Sequence, residues 1–571
     1  MAERQSPSKP KIAVFSGPTA TIQNTEPLVT SNKAREKYGL PLRKNSDGSA
    51  VRFDALRPQR IAAPVTVYIE QFSAHPLERD AAELYAPPDG YIDPSGVFHR
   101  ERQGPSDVPV YEVTLRPEDG LYPLPYMARQ ADGQAWEGDG VGHSAPAEQC
   151  RQPFFPDASR LFEEVDRMGI GDDGLASLLS SKATFDFYRA APSGGYKSGL
   201  PEAERTDVGG GDIPPEILGQ DFFPYRPGYL RREPPMAILA RITNIVQQAL
   251  ASGQYTGAVW LEGSPFVEET SYWLNLLIDT AVPIVGNASQ RAHGAASNDG
   301  DRNIIDAVDY ILSRIWADES GRNTVGAVVI QEEQIFTARE VQKGDARPGG
   351  YVATGGHGGI AGSMGQPGPP ALTFRPVKHH TYTSAVNLSR LPQTVEGTRR
   401  DGNRIIRVPA PIKNESGDLL ANAIPKVTIV KHARYLPEDP SGDPALEVDI
   451  LARIENNLRR APLAGFVAEG AAPFGSMSGS VDAALRLATF SGMPVVRVGR
   501  GNAEGLLDPK RNPLSIAGSN LTATKARLLL MACLMKFGSL PPAANLQNPT
   551  PAEIQAVESK LAEYQAIFDT H

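Results

Sequence analysis

MAILARITNIVQQALASGQYTGAVWLEGSPFVEETSYWLNLLIDTAVPIVGNAS, residues 236–289, alternates two kinds of pattern, and the alternation decides the fold. Residues 236–253 repeat apolar side chains every three to four positions, as an amphipathic helix does. GAVWLEGS (257–264) is a short apolar run closed by polar and small residues, which reads as a strand. VEETSYWLNLLIDT (267–280) returns to helical spacing and PIVGNAS (283–289) to a strand; a further helix and the strand AVVIQ (327–331) follow. Strands separated by helices imply a largely parallel sheet.

Upstream, KIAVF (11–15) reads as a first strand running into the turn-rich SGPTATIQNT, and VTVYIE (65–70) as another that ends at Gln71-Phe72-Ser73. Both finish in polar segments at their carboxyl ends, where open α/β sheets bind ligands. From about 76 to 234 the chain is rich in Pro, Gly and Asp, with scattered strands such as VPVYEVTL and ATFDFYRA, and reads as an insertion. Patterning fades again over 344–424, beginning with RPGGYVATGGHGGIAGSMGQPGPP, which suggests loops and a linker. KVTIVKHA, AGFVAEGAA and PVVRVGRG then repeat the strand–helix rhythm. The expected organisation is a larger α/β domain over 1–380, a linker over 381–424, and a smaller α/β domain over 425–571.

With 571 residues, 40% of them hydrophobic, the chain can bury more than one core. No run of eighteen apolar residues occurs, and the opening MAERQSPSKPKIAVF has one short apolar stretch that reads as a strand, not a signal sequence. A cytoplasmic protein without membrane association is expected. Cys150 and Cys533 are the two cysteines, too few for a disulfide framework or a cysteine metal centre. The net charge of −9 is spread along the chain without long basic runs, so a small molecule is a better partner than nucleic acid.

Common catalytic patterns are missing from the sequence: there is no GxSxG, no GxxxxGK[ST] and no HExxH. His379 and His380 are adjacent, and neighbours on a strand face opposite ways, so no metal ligation is expected from them. His357, among the glycines of TGGHGG, could lie beside backbone N–H groups that hold an oxyanion, or in a plain loop. What remains are hydroxyls and a lysine at strand ends: Thr19 and Thr21, Ser264, and Lys343. Each has an ordinary alternative. Ser264-Pro265 before a helix is also a capping sequence, and Lys343 could be a solvated loop lysine.

Taken in order, these segments resemble the L-asparaginase/glutaminase family. Gly17-Pro18-Thr19-Ala20-Thr21 stands where that family has its GGTIA-like turn with the nucleophilic threonine. EGSPFVEETSYWLNL (262–276) is similar to its HGTDTMEETAYFLNL, PIVGNASQRAHGAASNDGDRNIIDAV to the segment that follows, and IQEEQIFTAREVQK to the strand and loop ending in its catalytic lysine. AGSNLTATKARLLLMACL resembles the closing part of the fold. The resemblance covers 11–75 and 236–540 and implies two α/β domains, no cofactor, and a homodimer or homotetramer.

It also implies roles. Thr19 corresponds to the nucleophile, Ser264 and Lys343 to the pair that moves protons; Thr21 and Thr25 compete for the first role. A threonine hydroxyl needs a neighbouring base, and a desolvated lysine can serve. The family aspartate after the second hydroxyl, which contacts the substrate's α-ammonium group, is here Pro265. Losing such a charge-assisted contact costs roughly 1.5–3 kcal/mol. Phe266 replaces a threonine, which would make the pocket more apolar. Ser73, Tyr38 and Glu504 are candidate counterparts of the family's carboxylate-binding serine, loop tyrosine and neighbouring-subunit glutamate. The expected reaction is hydrolysis of a C–N amide bond in a small molecule that is not an α-amino acid. An ester, lactone or imide hydrolase on the same site, or an inactive binding homologue, are the alternatives.

Overall fold

The helices and strands of residues 236–289 form the centre of a computed structural model, which describes residues 9–17, 29–31, 48, 53–55, 57–59, 65–69, 88–93, 98–115, 122–124, 161–162, 165, 178–189, 235–291, 297–354, 359–365, 368–431, 441–471, 475–500 and 512–571. The main sheet contains β1 (Lys11–Ser16), β2 (Thr184–Arg189), β3 (Gly257–Leu261), β4 (Ile284–Asn287), β5 (Val328–Gln331) and β6 (Gln334–Thr337). A small hairpin beside it is made of β7 (Val341–Lys343) and β8 (Tyr351–Ala353), and β9 (Ile360–Ser363) and β10 (Ala371–Leu372) complete the sheet. Its order is β2-β1-β3-β4-β5-β6-β9-β10. From β2 to β5 every pairing is parallel, and from β5 onward every pairing is antiparallel.

Helices α1 (Pro235–Ala251), α2 (Val267–Leu277) and α3 (Gly300–Ser313) cover both faces. Ile12, Val14, Val259 and Val285 pack on α3 through Ile304, Val308 and Ile311. Ala13, Phe15, Ala258 and Trp260 point the other way, toward Ile242 and Val246 of α1 and Leu274 of α2. Burial on both faces is why these strands read as continuous apolar runs and not as alternating ones.

A second, wholly parallel sheet follows: β13 (Lys426–Lys431), β14 (Ala464–Gly470), β15 (Val495–Gly499) and β16 (Ile516–Ala517), in that order. Between the two sheets β11 (Thr394–Asp401) and β12 (Arg404–Pro411) form an eight-residue hairpin. Helices α4 (Val448–Arg460) and α5 (Gly479–Phe490) pack on one face of the second sheet. On the other lie α6 (Ala523–Phe537) and α7 (Pro551–Thr570), and the core there also takes in Tyr272, Trp273, Leu276 and Leu277 of α2. α6 is therefore shared: one side meets the second sheet, the other meets the helix that leads out of Ser264. Cys533 is buried in this core as a free thiol.

Three expectations change. VTVYI does not join the main sheet; it pairs antiparallel with Val108–Leu115 in a separate six-stranded sheet. The neighbour of β1 is TFDFYR, from the stretch read as an insertion. A short apolar run identifies a strand but does not choose its partner, and both runs suited the edge position. The stretch read as a linker holds the β11–β12 hairpin, whose two-residue turn Gly402-Asn403 has Gly402 at φ +53°. Much of its length is exposed, so it lacks the buried stripe by which a strand is normally recognised. The histidine pair is not on a strand: the His379 ring packs on His571, while His380 is buried and its ring pushed down to about 4 by desolvation.

One buried charge lies beneath the sheet. Asp306 of α3 is inaccessible, 2.8 Å from Arg302, and desolvation pushes its carboxyl up to about 6. Its contribution is fully present below the unfolded carboxylate range and is lost as pH rises through about 6. Asp306→Asn is therefore expected to melt above the wild type at pH 8, by on the order of 1 kcal/mol, with the gap closing toward pH 4. Thermal melts across that range check it; a gap independent of pH contradicts it.

Candidate active site

β1 and β3 run side by side in parallel, so their carboxyl ends emerge together, and Gly17 N–H donates to Leu261 O at 2.7 Å. Gly17 has no room for a side chain, since a Cβ there would lie 2.3 Å from the Glu262 carboxylate and 2.8 Å from the Trp260 ring. The backbone leading to Thr19 is thus pressed against the backbone leading to Ser264. Thr19, Thr21, Thr25, Tyr38, Ser73, His357 and Glu504 lie outside the described residues.

Ser264 does not cap the helix that follows. α2 begins after Phe266 without any side-chain cap, and Val267 N–H donates instead to Gly263 O at 3.1 Å. The Ser264 hydroxyl is 2.7 Å from the hydroxyl of Tyr351 on β8. The capping explanation for this serine is therefore set aside, and its hydroxyl faces the hairpin that carries Lys343. Phe266 is 53% exposed among the described residues.

Lys343 and Tyr351 are cross-strand partners in the β7–β8 pair. The Lys343 ammonium sits 5.0 Å from the centre of the Tyr351 ring and donates to Gln290 Oε1 at 2.9 Å and to the carbonyls of Arg347 and Gly349, both at 2.5 Å. Lys343 is neither splayed into solvent nor hydrogen-bonded to Ser264; Tyr351 lies between them. Partial desolvation lowers the lysine below its ordinary range, and burial raises the Tyr351 phenol, which keeps it protonated.

The hairpin is fixed from several sides. Glu268, in the first turn of α2, accepts from Lys343 N–H at 2.5 Å. Gln290, beyond β4, holds the loop by donating to Ala346 O at 2.8 Å, and its own N–H donates to Asp299 at 3.1 Å. Asn303 donates to Ala288 O and to Gln331 Oε1, and Gln331 donates to Ala288 O, which locks the ends of β4 and β5 together. Gly349 is at φ +71°, a conformation glycine tolerates, and turns its carbonyl toward Lys343. Among the described residues no group of three His, Cys, Asp or Glu could hold a metal ion, and no helix is long and apolar enough to cross a membrane.

Chemically, the arrangement offers a serine hydroxyl paired with a phenol, a lysine whose charge is partly desolvated, and a neighbouring strand end that leads to a threonine. Sequence reasoning singled out Ser264 and Lys343, and the structure places Tyr351, which it did not single out, between them. The only signal was its place eight residues after Lys343, across a glycine-rich loop, where an antiparallel return would bring the two together.

Residues 235–360, which contain Ser264, Lys343 and Tyr351, match the family described as "Asparaginase, N-terminal". This match covers less than a quarter of the chain. The chain is 29% identical over 154 residues to a glutaminase-asparaginase of Acinetobacter glutaminasificans, covering 27% of this chain and 44% of that one. It is 36% identical over 105 residues to an L-asparaginase of Bacillus licheniformis, covering 18% and 31%. It spans less than half the length of these curated relatives. A solved structure described as a probable cytoplasmic L-asparaginase from Campylobacter jejuni is 22% identical, with a TM-score of 0.42, over 59% of this chain and 81% of that one. The segment similar to this family holds the described part of the site.

Proposed function

We propose that the protein is an amidohydrolase that cleaves a C–N amide bond in a small molecule other than an α-amino acid. Support comes chiefly from the position of Ser264, Tyr351 and Lys343 over the paired ends of β1 and β3. In this reading Thr19 attacks the carbonyl, an acyl-enzyme forms, ammonia or an amine leaves with a proton, and water releases the acid. Ser264 and Lys343 move the protons, with the Tyr351 hydroxyl orienting Ser264 so that its own proton is free for transfer.

Substrate selection follows from Pro265. Where relatives in the resemblance carry an acid, this chain has a side chain with no charge and no acceptor, so a substrate ammonium would be desolvated without recompense. An uncharged amide avoids that cost. A second copy contributing Glu504 would complete the site, as the resemblance implies, in a homodimer or homotetramer.

A binding protein without turnover is the second reading, favoured by one observation: the Lys343 ammonium already has three acceptors. Tyr351→Phe separates the two. It removes the partner of Ser264 but keeps the ring under Lys343, and a hydrolase should lose about 10-fold to 100-fold in kcat with KM little changed. Steady-state ammonia release on the amides that the wild type turns over measures this. A protein that binds amides by calorimetry but releases no ammonia, with or without the substitution, is the binding protein.

A further inference from the structure

Lys525 is fully enclosed, only 2% exposed, in the first turn of α6. A buried ammonium needs acceptors for its protons, since the interior offers no water to replace them. Here they are two backbone carbonyls from the asparaginase-type segment: Glu268 O, and Ala338 O at 2.7 Å. The remaining side of the ammonium faces the Tyr272 ring, 5.2 Å from its centre.

Those two carbonyls are not arbitrary. Glu268 follows Ser264 by four residues in the first turn of α2, and Ala338 precedes Lys343 by five on the chain leading into β7. One cation from the second half of the fold therefore ties together the two segments that carry the hydroxyl and the lysine. The side chain of Glu268 adds a second tie by accepting the Lys343 N–H. Neighbouring Arg527 reaches Glu269 at 3.3 Å, so the same turn of α6 grips α2 twice.

We infer that Lys525 and Glu268 are positioning residues that set the β7–β8 hairpin over Ser264, so that packing of α6 determines whether the site is assembled. The inference rests on the hydrolase reading only for its effect on turnover; the coupling itself stands on geometry. Burial lowers the Lys525 ammonium to about 8 and raises the Glu268 carboxyl, as expected for charges retained at a desolvation cost.

Hydrogen exchange followed by mass spectrometry on the full chain tests the coupling without any substrate. In Lys525→Met, amides of 264–270 and 338–353 are expected to exchange at least tenfold faster, while α3 and α5 keep the wild-type rates. Glu268→Gln, which keeps the shape and should fold if Lys525→Met does not, is expected to speed exchange in 341–353 alone. Trace acetylation with acetic anhydride should show the reactivity of Lys343 rising in both variants at pH 8, a change that general loosening confined to α6 would not produce. Unchanged exchange in the hairpin, or equal acceleration in α3 and α5, overturns the inference. An intact coupling in a protein that hydrolyses no amide would instead fail only the hydrolase reading.

Discussion

Lys343→Met is expected to lower kcat for amide hydrolysis by about 10²-fold to 10⁴-fold while leaving KM within a few-fold, the effect of removing a positioned proton-transfer group. Methionine retains the length and apolar stem of lysine, so the hairpin keeps its packing on Tyr351 while the charge goes. The lysine lies below its ordinary range because it is partly desolvated. Acting as a base it must be neutral, so wild-type activity should climb as pH rises toward that lowered value. The residual activity of the methionine variant should lack this alkaline limb. A pH–rate profile of both proteins measures the loss and the limb together. Equal profiles would mean that the ammonium, held by Gln290 and two loop carbonyls, serves only to shape the loop.

Trp273→Ala is expected to be the most damaging single change to stability, costing about 3–5 kcal/mol. The indole is fully buried, its N–H donates to the Thr243 hydroxyl at 2.8 Å, and it belongs to the core that α2 shares with α6 and α7. Truncation would leave a cavity between the two halves of the fold and take away the donor to the Thr243 hydroxyl, which would keep only its own bond to Leu239 O at 2.7 Å. Chemical denaturation should show the midpoint falling without a new intermediate if the halves unfold together. Loss of the second sheet at a lower denaturant concentration than the first would show that this tryptophan chiefly joins them. A midpoint close to wild type would contradict the packing described here.

How much of this could be read from the sequence depends on burial. The segments around β3, α2, β4 and β5 were legible because each is buried on a whole face or on both, which leaves an unmistakable apolar period. The β11–β12 hairpin was not, since its burial pattern gives only a few inward residues on each strand. TFDFYR and VTVYI show a different limit. Both are strands, but which of them lies beside β1 is settled by pairing over more than 170 residues of sequence, beyond the reach of any local pattern.

The site follows the same rule. Ser264 stood out because helix and strand patterns meet there, and Lys343 because an ordered resemblance placed it. The capping sequence Ser264-Pro265 pointed to a local use for the hydroxyl, yet the helix starts later and the hydroxyl goes to Tyr351, a contact across 87 residues. Nothing in the local sequence TATKARLLLMACL marks Lys525 out. Its meaning appears only when α6 meets α2, because the carbonyls it needs belong to another part of the chain.

Pro265 is the residue on which the substrate assignment turns, and one measurement addresses it directly: ammonia release by the wild type and Thr19→Ala from a panel containing asparagine, glutamine and small amides without an α-amino group. The expected result is turnover of at least one uncharged amide with kcat/KM at least about tenfold above asparagine, in line with the lost ammonium contact, and its loss in the threonine variant. Preference for asparagine or glutamine, or release unaffected by Thr19→Ala, would contradict the account.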